Sequence, residues 1–66
     1  MQVYDFITAD QIQEDDQILV KGIDPIEVKK IVDSGSSIWV KGYSHMSGDD
    51  VDYILGADDE VGLWGA

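Results

Sequence analysis

The sequence predicts a small all-β domain, and three observations carry that prediction. Short runs of β-branched and aromatic residues recur along the chain, in places alternating with polar residues. Turn-forming residues separate these runs at intervals of about eight to twelve residues, which is typical of a sandwich or a small barrel. The 66 residues are 44% hydrophobic and include no cysteine, so we expect one modest core without disulfides. A single domain across residues 1–66, with about five short strands, is therefore expected.

The first part of the chain predicts two strands separated by one helical turn. Residues 3–7 alternate weakly and include tyrosine and phenylalanine, which suit a strand. Thr8 and the residues after it favour a helical turn, with Ile12 as its buried anchor. The next apolar run, QILV, predicts a strand with Ile18 and Val20 on one face.

Residues 25–34 have the features of a short helix. Asp24 is a suitable N-cap, Pro25 occupies the first helical position, and Glu27 stands at the capping-box position. Gly35 would end the helix as its C-cap. Such a helix packed against a small sheet would give an α+β fold.

The same residues also have the features of a strand. They are rich in β-branched aliphatics, and the DSGSS segment that follows is good turn chemistry between two strands. As a strand, the segment turns Ile26 and Val28 inward and needs a bulge at Lys29 and Lys30 before Ile31 returns inward. Local propensity leaves the two interpretations nearly even.

Three further strands are predicted after residue 36. In SIWVKGY, alternation places Ile38 and Val40 on one face, with Trp39 and Lys41 on the other. A polar loop, SHMSGDD, leads to VDYIL and EVGLW, two short runs joined by the turn-forming GADD.

The segment ITADQIQEDDQILV resembles the opening of many small SH3-like β-barrels, including short ones encoded by phages. Ile12 takes the buried position, Asp15 and Asp16 replace a Gly-Asp pair, and Ile18 begins the strand. The later segments resemble the central hairpin and the last two strands of such a barrel. The resemblance implies a five-stranded SH3-like barrel and favours the strand at residues 25–34, with the α+β fold as the alternative. It implies a fold, and for function it suggests only a small phage accessory protein of unassigned role.

The charge of the chain excludes several classes of partner. Fourteen acidic residues against four lysines give a formal net charge of −10. Nucleic acids and anionic membranes bind through cations that displace counterions, so neither is expected to bind directly. The field favours a partner with a basic surface. No signal peptide or membrane-spanning run is visible, so a cytoplasmic location is expected.

Neither a metal site nor a catalytic site is predicted. Three aspartate pairs, at residues 15–16, 49–50 and 58–59, each precede an apolar run, but they lack the spacing of a calcium loop. Solvated turns that feed strands are the better interpretation. His45 is the only histidine, and adjacent Ser44 would point away from it on a strand. We therefore expect a protein that is not an enzyme and uses no cofactor.

The remaining candidate site is a surface for binding another protein. Trp39, Tyr43 and Trp64 are able to line a groove, and Asp49 and Asp50 would give it an acidic rim that selects a basic peptide. Alternatively, the tryptophans complete the small core. The sequence thus predicts an acidic protein-interaction module. The alternatives are a DNA-mimic inhibitor of a nucleic-acid-binding protein and an accessory subunit that offers an unpaired strand to a larger assembly. A homo-oligomer is left open.

Overall fold

The computed structural model describes residues 2–65, and most of them lie in six β-strands. The strands are β1 (Gln2–Thr8), β2 (Gln17–Val20), β3 (Asp24–Asp33), β4 (Ser37–Ser44), β5 (Asp50–Gly56) and β6 (Glu60–Gly65). One 3₁₀ turn, Ala9–Gln11, follows β1 as the sequence predicted. The all-β prediction is confirmed, with six strands in the described residues where five were expected. No helix in this part of the chain is long and apolar enough to cross a membrane.

The six strands form one antiparallel sheet in the order β1-β6-β2-β3-β4-β5. β1 and β5 are therefore the edge strands. Just after β1, the Ala9 amide donates to the Asp59 carbonyl at 2.7 Å and the Asp10 amide donates to the Ala57 carbonyl at 3.0 Å. These bonds tie the end of one edge strand to the turn that follows the other.

The helical interpretation of residues 25–34 is wrong, because Asp24–Asp33 form the strand β3. It pairs with β2 over residues 24–27 and with β4 over residues 26–33, so neighbouring strands satisfy its backbone groups along those stretches. Ile26 and Val28 are fully buried, and the register shifts between Val28 and Lys30, where the bulge was expected. The burial of Ile26 and Val28, together with strand pairing, outweighs the helix-capping signals at the ends of the segment.

The core lies on one face of the sheet and consists of alternating strand residues. Ile18 and Val20 from β2 and Ile38 and Val40 from β4 are each at most 1% exposed, as the alternation predicted. The whole buried apolar cluster comprises Ala9, Ile12, Ile18, Val20, Ile26, Val28, Ile38, Val40, Leu55 and Val61. Ile12 is buried beneath the 3₁₀ turn as its expected anchor.

Aspartates shape the turns between strands. Asp15 has a φ of +73°, the left-handed geometry that aspartate tolerates better than most residues. A carboxylate oxygen of Asp16 accepts the Gln13 amide at 2.9 Å, and one of Asp33 accepts the Gly35 amide at 2.8 Å. These carboxylates therefore stabilise the turns by accepting hydrogen bonds from backbone amides.

Candidate binding surface

The outer face of β3, β4 and β5 carries a row of exposed apolar side chains. Val32 lies opposite Trp39 on β4, and Trp39 lies opposite Ile54 on the edge strand β5. The exposed fractions are 37%, 38% and 74%, respectively. Cross-strand neighbours are about 5 Å apart, so the three side chains form one continuous surface, here called the apolar row.

A row of charged residues runs beside the apolar row. Lys30 lies opposite Lys41, and Lys41 lies opposite Asp52 on β5. With Lys29 from the bulge, three of the four lysines of the chain line one open depression of about 340 Å³, together with Asp50 and Asp52. This surface therefore combines both signs of charge within an otherwise acidic protein.

The ammonium group of Lys41 lies over the ring of Trp39. Its Nζ lies 4.6 Å from the centre of the Trp39 ring, a cation–π contact. Within residues 2–65 the one ion pair joins Lys29 Nζ to a Glu27 carboxylate oxygen at 3.6 Å. Asp52, although directly opposite Lys41 in the sheet, makes no ion pair with it.

Tyr43, Asp49 and Asp50 lie together at the far end of the same face. Tyr43 is opposite Asp50, and the Asp49 carbonyl accepts the Ser44 amide at 2.9 Å just before β5 begins. Both aspartates are exposed and Tyr43 is half-buried. The structure thus brings an acidic rim next to Tyr43, four residues along β4 from Trp39 and about 13 Å from it.

Trp64 occupies a different position from Trp39. It is only 9% exposed, and its indole Nε1 donates a hydrogen bond to the Ile18 carbonyl at 2.8 Å. This contact joins β6 to β2. Trp64 therefore offers little surface to a partner, and its visible role is to hold the two strands together.

His45 lies between two aromatic rings. Its ring makes edge-to-face contacts with Tyr43, at 5.3 Å between centroids, and with Trp64, at 5.4 Å. The side chain is exposed, as expected of a loop histidine, but its aromatic neighbours were not foreseen. It links the half-buried Tyr43 to the buried Trp64.

A buried polar cluster, formed by Asp24, Ser44 and Tyr53, was missed by sequence reasoning. Asp24 is 7% exposed, and its carboxylate accepts hydrogen bonds from the Ser44 hydroxyl, at 2.7 Å, and from the Tyr53 hydroxyl. The hydrogen bond to Asp24 is the main reason why the pKa of Tyr53 is raised, followed by burial and by the nearby negative charge. Ser44 is 0% exposed, so its hydroxyl is out of reach of a substrate. The cluster joins β3, β4 and β5 inside the fold.

The aspartate pairs at 15–16, 49–50 and 58–59 all lie in turns or at a strand start. In the last pair, a carboxylate oxygen of Asp59 accepts the Gly56 amide at 2.9 Å. Within residues 2–65 no group of three or more acidic or histidine side chains is placed to hold a metal ion.

Comparisons with known proteins identified no relative of this chain. No family model, no curated protein and no solved structure matches the chain.

Proposed function

We propose that this protein is a non-enzymatic, acidic protein-interaction module that binds a partner with a basic surface. The observation that carries the proposal is the apolar row at the sheet edge, bordered by the carboxylates of Asp50 and Asp52. Exposed apolar side chains grouped together and rimmed by polar groups are typical of binding sites. The partner supplies apolar groups for the row and cations for its acidic side.

The size of the apolar row is consistent with a small interface anchor. Complete burial of an isoleucine side chain is worth about 1.5–3 kcal/mol, and Ile54 is still 74% exposed. Tryptophan is among the residues that most often dominate the energy of an interface. Trp39 and Ile54 are therefore the residues whose loss weakens binding most.

The fold that we infer for this module is a partly opened SH3-like barrel of the kind found in small phage proteins, acting in the cytoplasm. The hydrogen bonds from Ala9 to Asp59 and from Asp10 to Ala57 support a curled sheet, because they join the two edges at one end. Small barrels of this kind serve as platforms for extended peptides.

A DNA-mimic inhibitor is less well supported. Mimicry needs carboxylates in two ordered rows that replace phosphates. Several acids instead lie in turns, where the side chains of Asp16, Asp33 and Asp59 accept backbone amides.

Affinity capture with matched variants tests the proposal. Immobilised protein is exposed to an extract of the cells that encode it, alongside the variants Trp39→Ala and Tyr4→Ala. Tyr4 is 70% exposed on β1, away from the apolar row, and serves as the control. We expect a partner that wild type and Tyr4→Ala retain and that Trp39→Ala binds at least about tenfold more weakly. If Trp39→Ala retains every captured protein, the proposed surface is wrong.

A further inference from the structure

On the side of β5 away from β4, no strand within residues 2–65 pairs with the backbone N–H and C=O groups. The Ser44 amide donates to the Asp49 carbonyl and the Ala57 amide donates to the Ser36 carbonyl, which marks both pairs as hydrogen-bonded in the β4–β5 ladder. Hydrogen-bonded pairs alternate in an antiparallel ladder, so Val51, Tyr53 and Leu55 direct their backbone groups toward β4. The residues between them therefore direct their N–H and C=O groups away from β4.

The residues of β5 whose backbone groups point away from β4 are the same residues whose side chains lie on the outer face of the sheet. At Gly56 these backbone groups are satisfied locally, since its amide donates to Asp59 and its carbonyl accepts the Asp59 amide. At Asp52 and Ile54 the described residues provide no such partner. The open part of the edge thus runs from Asp50 to Ile54, the stretch that combines carboxylates with the most exposed apolar side chain of the row.

We propose that the partner docks by adding an antiparallel strand to β5, with basic residues opposite Asp50 and Asp52 and an apolar residue opposite Ile54. This inference rests on the proposed function and specifies how the partner enters. Charge complementarity favours such an occupant, because Lys41 contacts Trp39, and the Asp52 carboxylate has no ion pair with any residue in the described part of the chain. A second copy of this chain is disfavoured, because each copy carries a net charge of −10.

The geometry also specifies the order of residues in the added strand. Side chains alternate between faces, so partner residues opposite Val51 and Tyr53 lie on the core side of the sheet. Both of those residues are half-buried at the edge, and apolar partner residues would cover them. Starting opposite Ile54 and running antiparallel, the partner sequence is apolar, apolar, basic, apolar, basic.

The competing explanation is that the aspartates protect the edge from pairing at all. Charged residues on edge strands commonly serve that purpose. The two explanations differ in a measurable way. An edge that is only protected gives no saturable protection of the Asp52 and Ile54 amides by any peptide, whereas strand addition shields both.

The first test uses a synthetic peptide, Ser-Val-Val-Lys-Val-Lys-Ser, and amide hydrogen exchange measured by NMR. At saturating peptide, we expect exchange at Asp52 and Ile54 to slow by about tenfold or more. The amides of Glu14 and Asp58, which lie in other acidic turns, should be unchanged. A peptide with glutamate in place of both lysines should not bind. Equal slowing in all the acidic turns would reveal unspecific attraction and overturn the inference.

The second test separates backbone pairing from side-chain contact. Ile54→Pro keeps an apolar side chain but removes one outward N–H, whereas Ile54→Val keeps the N–H. Proline is tolerated where an edge N–H faces solvent, and wild-type thermal stability in each variant would verify the fold. We expect Ile54→Pro to weaken the peptide by about tenfold, ~1.4 kcal/mol, relative to Ile54→Val. Equal affinities in the two variants would overturn strand addition, and the exchange experiment on wild type decides the case if Ile54→Pro is unfolded.

The two proposals fail in different ways. If a captured partner depends on Trp39 but leaves the Asp52 and Ile54 amides unprotected, the interaction module stands and strand addition is wrong. If no partner depends on Trp39 and the peptide gives no saturable binding, both are wrong.

Discussion

Replacing Tyr53 by phenylalanine removes one of the two hydroxyl donors to the buried Asp24 carboxylate. The ring stays in place, and Ser44 still donates to Asp24 at 2.7 Å. The variant therefore isolates a single hydrogen bond to a charged, buried acceptor. Because the bond joins β5 to β3 across β4, its loss should weaken the global fold and not one loop.

The expected cost follows from the surroundings of the bond. A hydrogen bond to a charged group contributes about 1.5–3 kcal/mol, and a buried acceptor left without a partner costs a similar amount. Tyr53 is only half-buried, so water is able to replace part of the lost bond. We expect Tyr53→Phe to lower the free energy of unfolding by about 1.5–2 kcal/mol at pH 7.5. For 66 residues the total is about 3–10 kcal/mol, so the effect is easily measured.

The same bond makes a pH-dependent contribution. The pKa of Tyr53 is raised above its ordinary value of 10.0, chiefly by the hydrogen bond to Asp24, so the folded state holds the phenolic proton more tightly than the unfolded chain. The stabilisation is then fully present below pH 10 and is lost as the pH rises through the higher folded pKa. We expect the difference between wild type and Tyr53→Phe to be constant from pH 7 to 9 and to shrink above about pH 10.

Urea denaturation at pH 7.5, 9 and 11 measures this difference, with tryptophan fluorescence as the readout. Other titrating groups are common to both proteins and cancel in the comparison. Ser44→Ala is the matched control, because it removes the other donor to Asp24 but does not titrate in this range. A difference between wild type and Tyr53→Phe that is absent at pH 7.5, or that persists undiminished at pH 11, would refute the reasoning.

Three further outcomes are expected from thermal melts. Gly42→Ala places a β-carbon 2.6 Å from the Ile26 Cγ2 and should cost about 1–3 kcal/mol. Gly65→Ala, whose β-carbon would have no neighbouring atom of the described residues within 4 Å, should be near neutral. Equal melting temperatures of the two variants would contradict the tight approach of β3 and β4. Asp59→Ala removes the carboxylate that accepts the Gly56 amide, whereas Asp58→Ala removes the same charge without that hydrogen bond. We expect Asp59→Ala to be about 0.5–1.5 kcal/mol less stable than Asp58→Ala. The reverse order would show that charge repulsion dominates that turn. Sodium chloride at pH 8 should raise the melting temperature by screening the charge of −10. Calcium at equal ionic strength should raise the melting temperature no further than sodium chloride does. A saturable extra rise with calcium would indicate a metal site.

The binding surface was predicted only in part. The alternation in β4 placed Trp39 on the opposite face from Ile38 and Val40, and the structure shows that this is the outer face. Ile54 was missed, although the alternation of Val51, Tyr53 and Leu55 already places it on the opposite face from them. The sequence therefore contained the signal, although VDYIL was assigned only to a strand and its faces were not distinguished.

The sequence by itself determined the local features of this protein. Side-chain alternation determines which residues of β2 and β4 face the core. Alternation and turn chemistry also account for the 3₁₀ turn over Ile12 and the bulge at Lys29. These features depend on residues a few positions apart, so a short window of sequence contains the necessary information.

Only the tertiary structure decided the rest. The Tyr53 hydroxyl meets Asp24 across 29 positions of the chain, and the Trp64 indole meets the Ile18 carbonyl across 46. Residues 25–34 have helix-capping signals at both ends, yet almost all of them form a strand, because β2 pairs with the start of the segment and β4 with most of its length. Which distant segments pair decides the strand order, the burial of Trp64 and the open edge of β5. Cooperative pairing across the sheet outweighs local preference, because it buries side chains that no local segment is able to cover alone.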